Sequence, residues 1–441
     1  MVGVKQTDTS GPFLAACRRW AARVSPPAFT DPQRPLLLAD LTQSWSSVGG
    51  GVGTYLRRKR AHILEHTSHR HLMILPGAED VVEESEEGRA ITVWLKSPHV
   101  PFSPNYRLLL RNRAVRKALI RYQPDLIECQ DAYNLPWAAL KHREAFPDTA
   151  LVAGYMTDFP TVYVTRPFGK VMPDRLADAA GRLCYGYCGR LYRQFDAVYA
   201  LSENGGGKLL RSLGVEEVQI LPLGVELKEF GPERRDEGLR RELGLSPDQP
   251  LLIYVGRLDI EKRPDIVVEA FRQLPEGLGA KLVLLGQGPQ KEQIEALGDP
   301  RIITPGFVTD RAELARWLAS ADLYVSAMPN ETFGVSVIEA QASGLPVVGV
   351  AGGAMPERVL PGMGLLGPVA DSSAMAANIL AVLGGDSQTM GEKGRAHVSS
   401  EYSWAHSMEQ LFGTIVPAAF ARRAAARART HGALPRTLVR A

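Results

Sequence analysis

Short apolar runs alternate with helical patterns through the second half of this 441-residue chain, and this alternation limits the fold more than any other feature. Each run has the length of a strand that is buried on both faces. The five runs cover residues 251–255, 280–285, 301–304, 323–326 and 347–350. Strands that alternate with helices in this way form parallel sheets with helices on both faces. The sequence therefore predicts an α/β fold with a doubly wound sheet in this half.

The first half contains similar apolar runs at less regular intervals. They cover residues 34–41, 72–76, 90–95, 126–129, 151–155, 197–202 and 219–223. The chain is long enough for two or three domains, so we expect a second α/β domain here. The predicted organisation is an extension over 1–34, a first domain over 35–226, a second domain over 227–401, and a last helix with a basic tail over 402–441.

The composition is that of an ordinary globular protein, with 45% hydrophobic and 22% charged residues. A net charge of +3 gives no reason to expect nucleic acid binding. No apolar run approaches the roughly 18 residues that a membrane-spanning helix needs, and the N-terminus lacks the pattern of a signal peptide. The four cysteines form no CxxC pair, which favours a reducing compartment. We therefore expect a cytoplasmic protein.

Two carboxylates, Glu331 and Glu339, flank the sequence Phe333-Gly334-Val335 in the stretch 321–357. If a helix begins near residue 332, the two acids lie roughly 12 Å apart along it. Free amides at the start of such a helix favour an anion, and a glycine lets a ligand approach the backbone closely. The two acids are therefore expected to bind different ends of one extended ligand.

Basic side chains follow the first predicted strand of the second half. Arg257 comes directly after this strand, and Lys262 lies five residues later. In open parallel sheets, ligands bind beyond the carboxyl ends of the strands. A planar guanidinium and a compact ammonium together suit a pyrophosphate. The pattern predicts a phosphate site at this edge.

The stretch 321–357 resembles the donor site of the retaining GT-B glycosyltransferases of family four. The match consists of the Glu-x7-Glu pattern with Phe-Gly inside it, Gly344-Leu345-Pro346, and Gly352-Gly353 through Glu357. The resemblance covers roughly residues 35–415. It implies two Rossmann-like doubly wound domains that face each other across a cleft. It also implies transfer of a sugar from a nucleoside diphosphate-sugar to an acceptor hydroxyl with retained configuration.

The resemblance assigns roles to individual residues. It implies that Glu331 lies by the donor sugar, that Glu339 holds the ribose hydroxyls, and that Arg257 and Lys262 grip the donor diphosphate. The other residues implied to bind the donor are Gly50, Gly51, Gly286, Val308, Phe333, Gly334 and Val335. No metal or cofactor is expected, because the basic side chains and helix-end amides can neutralise the leaving diphosphate.

A glycine-rich loop with Gly50 and Gly51 separates the first predicted strand from a helix that we expect to begin at Thr54. Such a loop brings backbone amides near a phosphate or sugar. It is not a Walker loop, because no Gly-Lys-Ser/Thr follows. It is also a poor dinucleotide fingerprint, so an NAD-dependent oxidoreductase is the least favoured function.

The segment Tyr155-Met156-Thr157-Asp158 departs from the family pattern, because relatives usually have histidine where Met156 stands. Methionine cannot donate a hydrogen bond or carry a proton. We expect Asp158 to take a catalytic role beside the anomeric centre. Three alternatives stay open: an unusual donor, a degenerate relative that acts as a sugar-nucleotide sensor or scaffold, and, on the same fold, a nucleotide-sugar epimerase.

Residues 107–121 carry six basic side chains, no acid and an apolar side, which predicts a basic amphipathic helix. Such a helix can lie on an anionic membrane, or it can pack its apolar side on the domain core. The flanking segments, Ser97 through Tyr106 and Gln123-Pro124-Asp125-Leu126-Ile127, resemble the lipid-modifying branch of the family, which includes sulfoquinovosyl and mannosyl transferases. The resemblance favours a membrane lipid or glycan as acceptor and a location at the inner face of the cell membrane.

Two further groups of basic residues are given simpler interpretations. His62, His66, His69 and His71 lack the nearby acid or cysteine that would complete a metal site, so we expect surface histidines. The tail from Ala421 holds six arginines and no acid, and we expect it to be disordered.

Overall fold

The computed structural model describes residues 34–46, 50–100, 103–165 and 172–432. Within these ranges the chain forms two compact units. The first contains residues 34–199, 210–219 and 408–432, and the second contains residues 200–209 and 220–407. Both units therefore include segments that are separate in the sequence, whereas the predicted domains were continuous. The predicted extension over 1–34 lies outside the described residues except for Arg34.

The first unit is built on an eight-stranded sheet in the order β10-β9-β8-β7-β1-β2-β4-β3. Strands β1, β2, β4, β7 and β8 pair in parallel, and β3 is antiparallel to β4. A separate hairpin consists of β5 and β6. The strands are β1 (Leu37–Leu41), β2 (Arg70–Gly77), β3 (Val81–Ser85), β4 (Ala90–Lys96), β5 (His99–Val100), β6 (Ser103–Arg107), β7 (Leu126–Cys129), β8 (Ala150–Tyr155), β9 (Ala197–Ala200) and β10 (Val218–Ile220).

The second unit is built on a parallel six-stranded sheet in the order β13-β12-β11-β14-β15-β16. Its strands are β11 (Leu251–Val255), β12 (Lys281–Leu285), β13 (Ile302–Gly306), β14 (Leu323–Val325), β15 (Val347–Val350) and β16 (Gly364–Gly367). The five strands predicted from the apolar runs are all present. Their side chains pack with Ile266, Phe271 and Ile379 of the covering helices in one apolar core. The predicted α/β fold with doubly wound sheets is confirmed.

Helices cover the sheets and connect the strands. The α-helices are α1 (Gly51–His66), α2 (Asn112–Tyr122), α3 (Leu135–Ala145), α4 (Asp174–Tyr192), α5 (Lys208–Ser212), α6 (Glu237–Glu242), α7 (Pro264–Arg272), α8 (Lys291–Glu295), α9 (Arg311–Ser320), α10 (Val335–Ala342), α11 (Met355–Arg358), α12 (Ser372–Leu383), α13 (Ser387–Glu401), α14 (Trp404–Gln410) and α15 (Val416–Gly432). Short π-helical turns cover Thr161–Thr165, Glu203–Gly207 and Leu411–Ile415, and 3₁₀ turns cover Glu86–Gly88, Pro232–Arg234 and Glu276–Leu278. No helix in the described ranges is long and apolar enough to cross a membrane.

Several helix boundaries differ from the predicted ones because local chemistry decides them. The helix α2 begins at Asn112, five residues after the predicted start at Arg107, which is the last residue of the hairpin strand β6. The helix α10 begins at Val335, directly after Gly334, which adopts a φ of 90° that a glycine tolerates best. The helix α1 begins at Gly51, before the predicted Thr54, because the glycines of its first turn are helical.

Two predictions about basic residues were wrong. His69 and His71 are buried, not on the surface, because both belong to or border strand β2. The tail from Ala421 is helical as far as Gly432, because acids of the first unit neutralise it: Arg423 pairs with Asp196, and Arg427 pairs with Asp148 at 2.9 Å.

Candidate active site

The order of the strands creates one ligand-binding edge in each unit. In the second sheet β11 lies between β12 and β14, so the chain leaves neighbouring strands β11 and β14 toward opposite sides. In the first sheet β1 and β7 have the same relationship. Such switch points open a crevice at the carboxyl ends of the two strands. Lys262 and Arg257 follow β11, and Glu331 follows β14, so residues from two separate motifs meet at one edge.

Glu331 and Lys262 form the centre of this edge. The Lys262 ammonium lies 2.9 Å from Oε2 of Glu331, and the amide of Gly334 donates to Oε1 at 3.1 Å. Burial raises the pKa of Glu331, but Lys262 and the amides of Phe333 and Gly334 lower it below its ordinary value. The carboxyl group is therefore an ionised hydrogen-bond acceptor, which suits the hydroxyl groups of a sugar.

The loop around Glu331 is packed against a second glycine motif. A Cβ on Gly353 would lie 2.3 Å from the carbonyl oxygen of Glu331, and one on Gly352 would lie 2.2 Å from that of Pro329. The amide of Ala354 also donates to the Glu331 carbonyl at 2.7 Å. Any side chain at either glycine would displace the loop. This close approach explains why the Gly-Gly pair accompanies the two acids.

The helix α10 starts at this loop without a side-chain cap. Asp310 and Asp371, in contrast, accept first-turn amides of α9 and α12 at 2.9 and 2.8 Å. The first amides of α10, beginning at Val335, therefore remain available for an anion. Phe333 is buried and Gly334 supplies the turn, so both shape the loop.

Arg257 has local partners. Its guanidinium contacts Asp259 and Glu261, each at 2.5 Å, and its side chain is 56% exposed. To bind a phosphate, the guanidinium must release at least one of these two carboxylates and contact the phosphate instead. The sequence did not reveal these partners, although acids two and four residues after an arginine are within reach of it.

Glu339 is buried and pairs with Arg311 of α9 at 2.8 Å. The same guanidinium lies 4.6 Å from the centre of the Phe230 ring and 3.4 Å from Glu229. Burial raises the pKa of Glu339, and Arg311 opposes this effect. Sequence reasoning missed Arg311. A basic residue at the first position of a helix interacts unfavourably with the helix dipole. Arg311 at the start of α9 could therefore have been predicted to have a nearby acidic partner.

Gly286 and Val308 follow strands β12 and β13 at the same edge of the sheet. A Cβ on Gly286 would lie 1.8 Å from the carbonyl oxygen of Gly256, so only glycine allows these two loops to pack. Val308 is half-buried beside the exposed Phe307. Both residues lie at the edge where the sequence predicted them.

Arg358 is a second residue that sequence reasoning missed. It is buried, donates to the carbonyl oxygen of Phe333 and the hydroxyl of Tyr402 at 2.8 Å each, and stacks on both rings. An arginine with three types of partner is rigid. It fixes the backbone two residues after Glu331.

In the first unit, Gly50 and Gly51 form the start of α1 at the β1–β7 switch point. Gly50 adopts a φ of 113°, and no side chain caps the helix. A Cβ on Gly50 would lie 3.5 Å from the hydroxyl of Tyr106. The rest of the glycine loop, residues 47–49, lies outside the described residues. These amides can donate hydrogen bonds to an anionic or sugar oxygen.

A buried charged cluster attaches α1 to the sheet. The Lys59 ammonium lies 2.9 Å from Asp40 on β1 and 2.7 Å from Glu128 on β7, and all three are fully buried. Tyr55, also on α1, donates to Glu128 at 2.8 Å. An unpaired buried charge is very costly, so an acid within a predicted buried strand indicates that a cation lies beside it. Asp40 and Glu128 are such acids, and the sequence could have predicted a buried basic partner from them. The described residues contain no group suited to a metal ion.

Asp158 lies three residues after β8 and is oriented by two phenols. Tyr155 and Tyr185 donate to its carboxylate at 2.9 Å. Burial raises the pKa of both tyrosines, so both remain protonated donors. Met156 is buried beside them. Asp158 is thus a fixed acceptor, on a different unit from Glu331.

Comparisons with known proteins agree with this geometry. The model for Glycosyltransferase Family 4 matches residues 49–229, and that for Glycosyl transferases group 1 matches residues 249–384. The GDP-mannose-dependent alpha-(1-6)-phosphatidylinositol dimannoside mannosyltransferase of Mycobacterium tuberculosis is 31% identical over 332 residues, which cover 75% of this chain and 81% of that protein. The chain belongs to glycosyltransferase family 4. The resemblance inferred from the motifs is confirmed.

Other family members and solved structures are more distant. The sulfoquinovosyl transferase of Arabidopsis thaliana is 29% identical over 55% of this chain and 45% of its own. Sucrose-phosphate synthase from Thermosynechococcus elongatus superposes with a TM-score of 0.70 at 23% identity, over 87% of this chain and 100% of that one. HepE from Anabaena in complex with UDP gives a TM-score of 0.65 at 16% identity, over 86% and 100%. These structures confirm the GT-B fold class.

The family membership establishes the general activity. This protein is a retaining glycosyltransferase that uses a nucleotide-sugar donor and a lipid or glycan acceptor. The comparisons give no sign of a sensor, a scaffold or an epimerase.

Proposed function

We propose that this family 4 glycosyltransferase transfers mannose from GDP-mannose to a hydroxyl group of a membrane glycolipid, with retained configuration. The observation that carries the proposal is the pairing of Lys262 with the ionised Glu331 at the switch point of the second unit. The choice of donor is supported by relatives named as GDP-mannose-dependent mannosyltransferases, at 28–31% identity. The glycolipid acceptor is supported by the phosphatidylinositol dimannoside in the name of the Mycobacterium tuberculosis enzyme.

In this proposal the second unit holds the donor along its carboxyl edge. Lys262, Arg257 and the free amides of α10 bind the diphosphate, and Glu331 accepts hydrogen bonds from the mannose hydroxyls. No metal ion is needed, because these groups supply the positive charge that stabilises the departing diphosphate. Residues for the remaining donor contacts are Gly286 and Val308 near the base, and Phe333, Gly334 and Val335 around the phosphates.

Glu339 is proposed to hold the ribose. Its Oε1 accepts from Arg311, so Oε2 is left to accept from a ribose hydroxyl. The stacked and paired guanidinium keeps the carboxylate in one orientation, which reduces the entropy lost on binding.

In the first unit, Asp158 is proposed as the catalytic acceptor for a substrate hydroxyl, and Gly50 and Gly51 as backbone donors. The two phenols fix the carboxylate of Asp158, and a fixed acceptor can select one hydroxyl geometry. The buried cluster around Lys59 keeps the start of α1 in place relative to β1.

Contact with an anionic membrane through residues 107–121 remains part of the proposal, at the inner face of the cell membrane. Arg113, Lys117 and Arg121 of α2 are exposed and spaced four residues apart, so they lie on one line. The apolar residues Val115 and Leu119 are buried in the domain. Contact through α2 is therefore electrostatic and should weaken with salt.

The test is GDP release from GDP-mannose, measured beside UDP- and ADP-sugars, with and without a mixed lipid extract. We expect release with GDP-mannose that increases with lipid and is lost in Glu331→Gln. Glu292→Gln, at an exposed acid of α8, is the matched control and should behave as the unaltered protein. Equal release by Glu331→Gln and the control would refute the site. Release of nucleoside diphosphate from another sugar nucleotide, with none from GDP-mannose, would refute GDP-mannose as the donor.

A further inference from the structure

The helix α4 carries apolar residues on two different sides, about 100° apart around its axis. One side is buried in the first unit and contains Ala177, Cys188 and Leu191. The other side exposes Leu176 and Leu183, which are 57% and 74% accessible. A helix that covers a core needs one apolar side only, and its other side is normally polar. The second apolar side therefore requires its own explanation.

The exposed side of α4 is divided into two lines. At 3.6 residues per turn, Leu176, Leu183 and Tyr187 fall within about 40° of one another and span about 16 Å. Arg175, Arg182 and Arg190 are all exposed and form the adjacent line. Asp178, an exposed acid of this helix, lies at the far edge of the basic line. We call these two lines together the α4 stripe.

Trp137 of α3 extends the stripe. Its ring is 44% exposed, and its Nε1–H donates to the hydroxyl of Tyr187 at 2.9 Å. The Tyr187 hydroxyl in turn donates to the carbonyl oxygen of Ala132 at 3.0 Å. The tryptophan is therefore held at the surface by a chain of hydrogen bonds. A ring with an apolar body and a satisfied polar edge suits the boundary between water and lipid.

We propose that the α4 stripe and Trp137 form a docking surface for an anionic phospholipid bilayer. Leu176, Leu183 and Trp137 enter the acyl boundary, and the neighbouring arginines contact headgroup phosphates. Charge complementarity selects this occupant, because three exposed arginines adjoin the apolar line, and Asp178 lies beyond them at the edge. The inference rests on the proposed glycolipid acceptor for its choice of a bilayer as partner.

The α4 stripe differs from the basic line of α2 in the kind of contact it can make. The helix α2 exposes basic side chains, whereas its apolar residues Val115 and Leu119 are buried in the core. The α4 stripe exposes both charge and large apolar groups. Binding through α4 is therefore expected to persist at salt concentrations that abolish a contact made by α2 alone.

The test is co-sedimentation with vesicles of phosphatidylcholine containing phosphatidylglycerol, with pure phosphatidylcholine for comparison. We expect the double variant Leu176→Ser/Leu183→Ser to lower the partition coefficient at least about tenfold, from the loss of two buried leucine side chains. Leu297→Ser/Leu380→Ser, at exposed leucines of the second unit, is the matched control and should bind as before. Brominated acyl chains should quench the fluorescence of the unaltered protein more than that of Trp137→Phe.

The failure of this inference can be told apart from failure of the proposed function. Donor hydrolysis without lipid should be the same in Leu176→Ser/Leu183→Ser as in the unaltered protein, whereas Glu331→Gln should lose hydrolysis and keep vesicle binding. The docking surface is refuted if the double leucine variant partitions like its control, or if the unaltered protein ignores anionic vesicles. It is also refuted if these substitutions convert a dimer to a monomer without changing vesicle binding, since the stripe would then be a contact between copies.

Discussion

Replacing Lys262 with methionine tests the donor site most directly. The substitution keeps the length of the side chain and removes the charge that lies 2.9 Å from Glu331. Two consequences follow. The developing negative charge on the leaving diphosphate loses a cation, and the buried Glu331 loses the partner that lowers its pKa.

The size of each effect can be estimated. Removing one preorganised group that stabilises developing charge costs about 3–4 kcal/mol, or a factor of about 10² to 10³ in kcat. Coulomb's law gives roughly 6 kcal/mol for two unit charges 2.9 Å apart at an effective dielectric constant of about 20. Burial is the largest single influence on the pKa of Glu331 and raises it, but Lys262 and the amides of Phe333 and Gly334 together hold the pKa below its ordinary value. Without Lys262, burial should prevail and raise the pKa of Glu331.

The assay is single-turnover release of GDP as a function of pH. We expect kcat to fall by at least a hundredfold, and the acid limb of the pH profile to move toward neutral pH. Lys291→Met is the matched control, because Lys291 pairs with Glu295 within the helix α8 and contacts neither acid of the candidate site. A loss below about tenfold, or an unchanged acid limb, would refute the role of the pair.

Further predictions concern residues that support the two sites. Arg311→Met should raise the KM for the donor about tenfold with a smaller change in kcat, because Glu339 loses its orientation. Lys59→Met should lower the free energy of unfolding by about 3–5 kcal/mol in urea titrations, because two buried carboxylates lose their cation. His71 is buried and neutral, with a pKa of about 4, so stability should fall as the pH drops from 6.5 through about 4. Asp158→Asn should lose sugar transfer and keep GDP-mannose binding by calorimetry.

Arg272→Met, at an exposed arginine, should leave the KM unchanged, and an equal change in both variants would exclude a specific role for Arg311. A cost below 1 kcal/mol for Lys59→Met would mean that the cluster is hydrated. Stability that is constant between pH 7 and 4.5 would show that His71 is already charged. Transfer by Asp158→Asn at the normal rate would remove Asp158 from the reaction.

Local patterns predicted the frame of the second unit. Residues 251–255 and 347–350 are apolar runs with no competing signal, and the structure has β11 and β15 at those bounds. The strand β3 could not be found in this way, since all five of its residues are exposed at the sheet edge. Its glutamates protect that edge from pairing with another chain. Because of these glutamates, the strand lacks the apolar pattern that predicts a buried strand.

Sequence patterns did not predict which side chains contact each other when the residues are far apart in the chain. Arg427 is helical and paired because Asp148 lies beside it, although 279 positions separate the two in the chain. Lys59 is one of four consecutive basic residues, and nothing in the sequence distinguishes it from the other three. In the structure its side chain is buried and pairs with Asp40 and Glu128. In each case the partner decides the conformation, and a single sequence does not identify the partner.

The two units prepare their acids by opposite means. Glu331 is kept ionised by a cation and by backbone amides, whereas Asp158 is held by neutral phenols whose raised pKa keeps them as donors. A phenol pair fixes a carboxylate without adding charge, so Asp158 can accept a hydrogen bond from a hydroxyl group. The histidine that the family resemblance implies in place of Met156 would add a titratable group beside these phenols. With methionine there, the orientation of Asp158 depends on Tyr155 and Tyr185 alone among the hydrogen bonds described above.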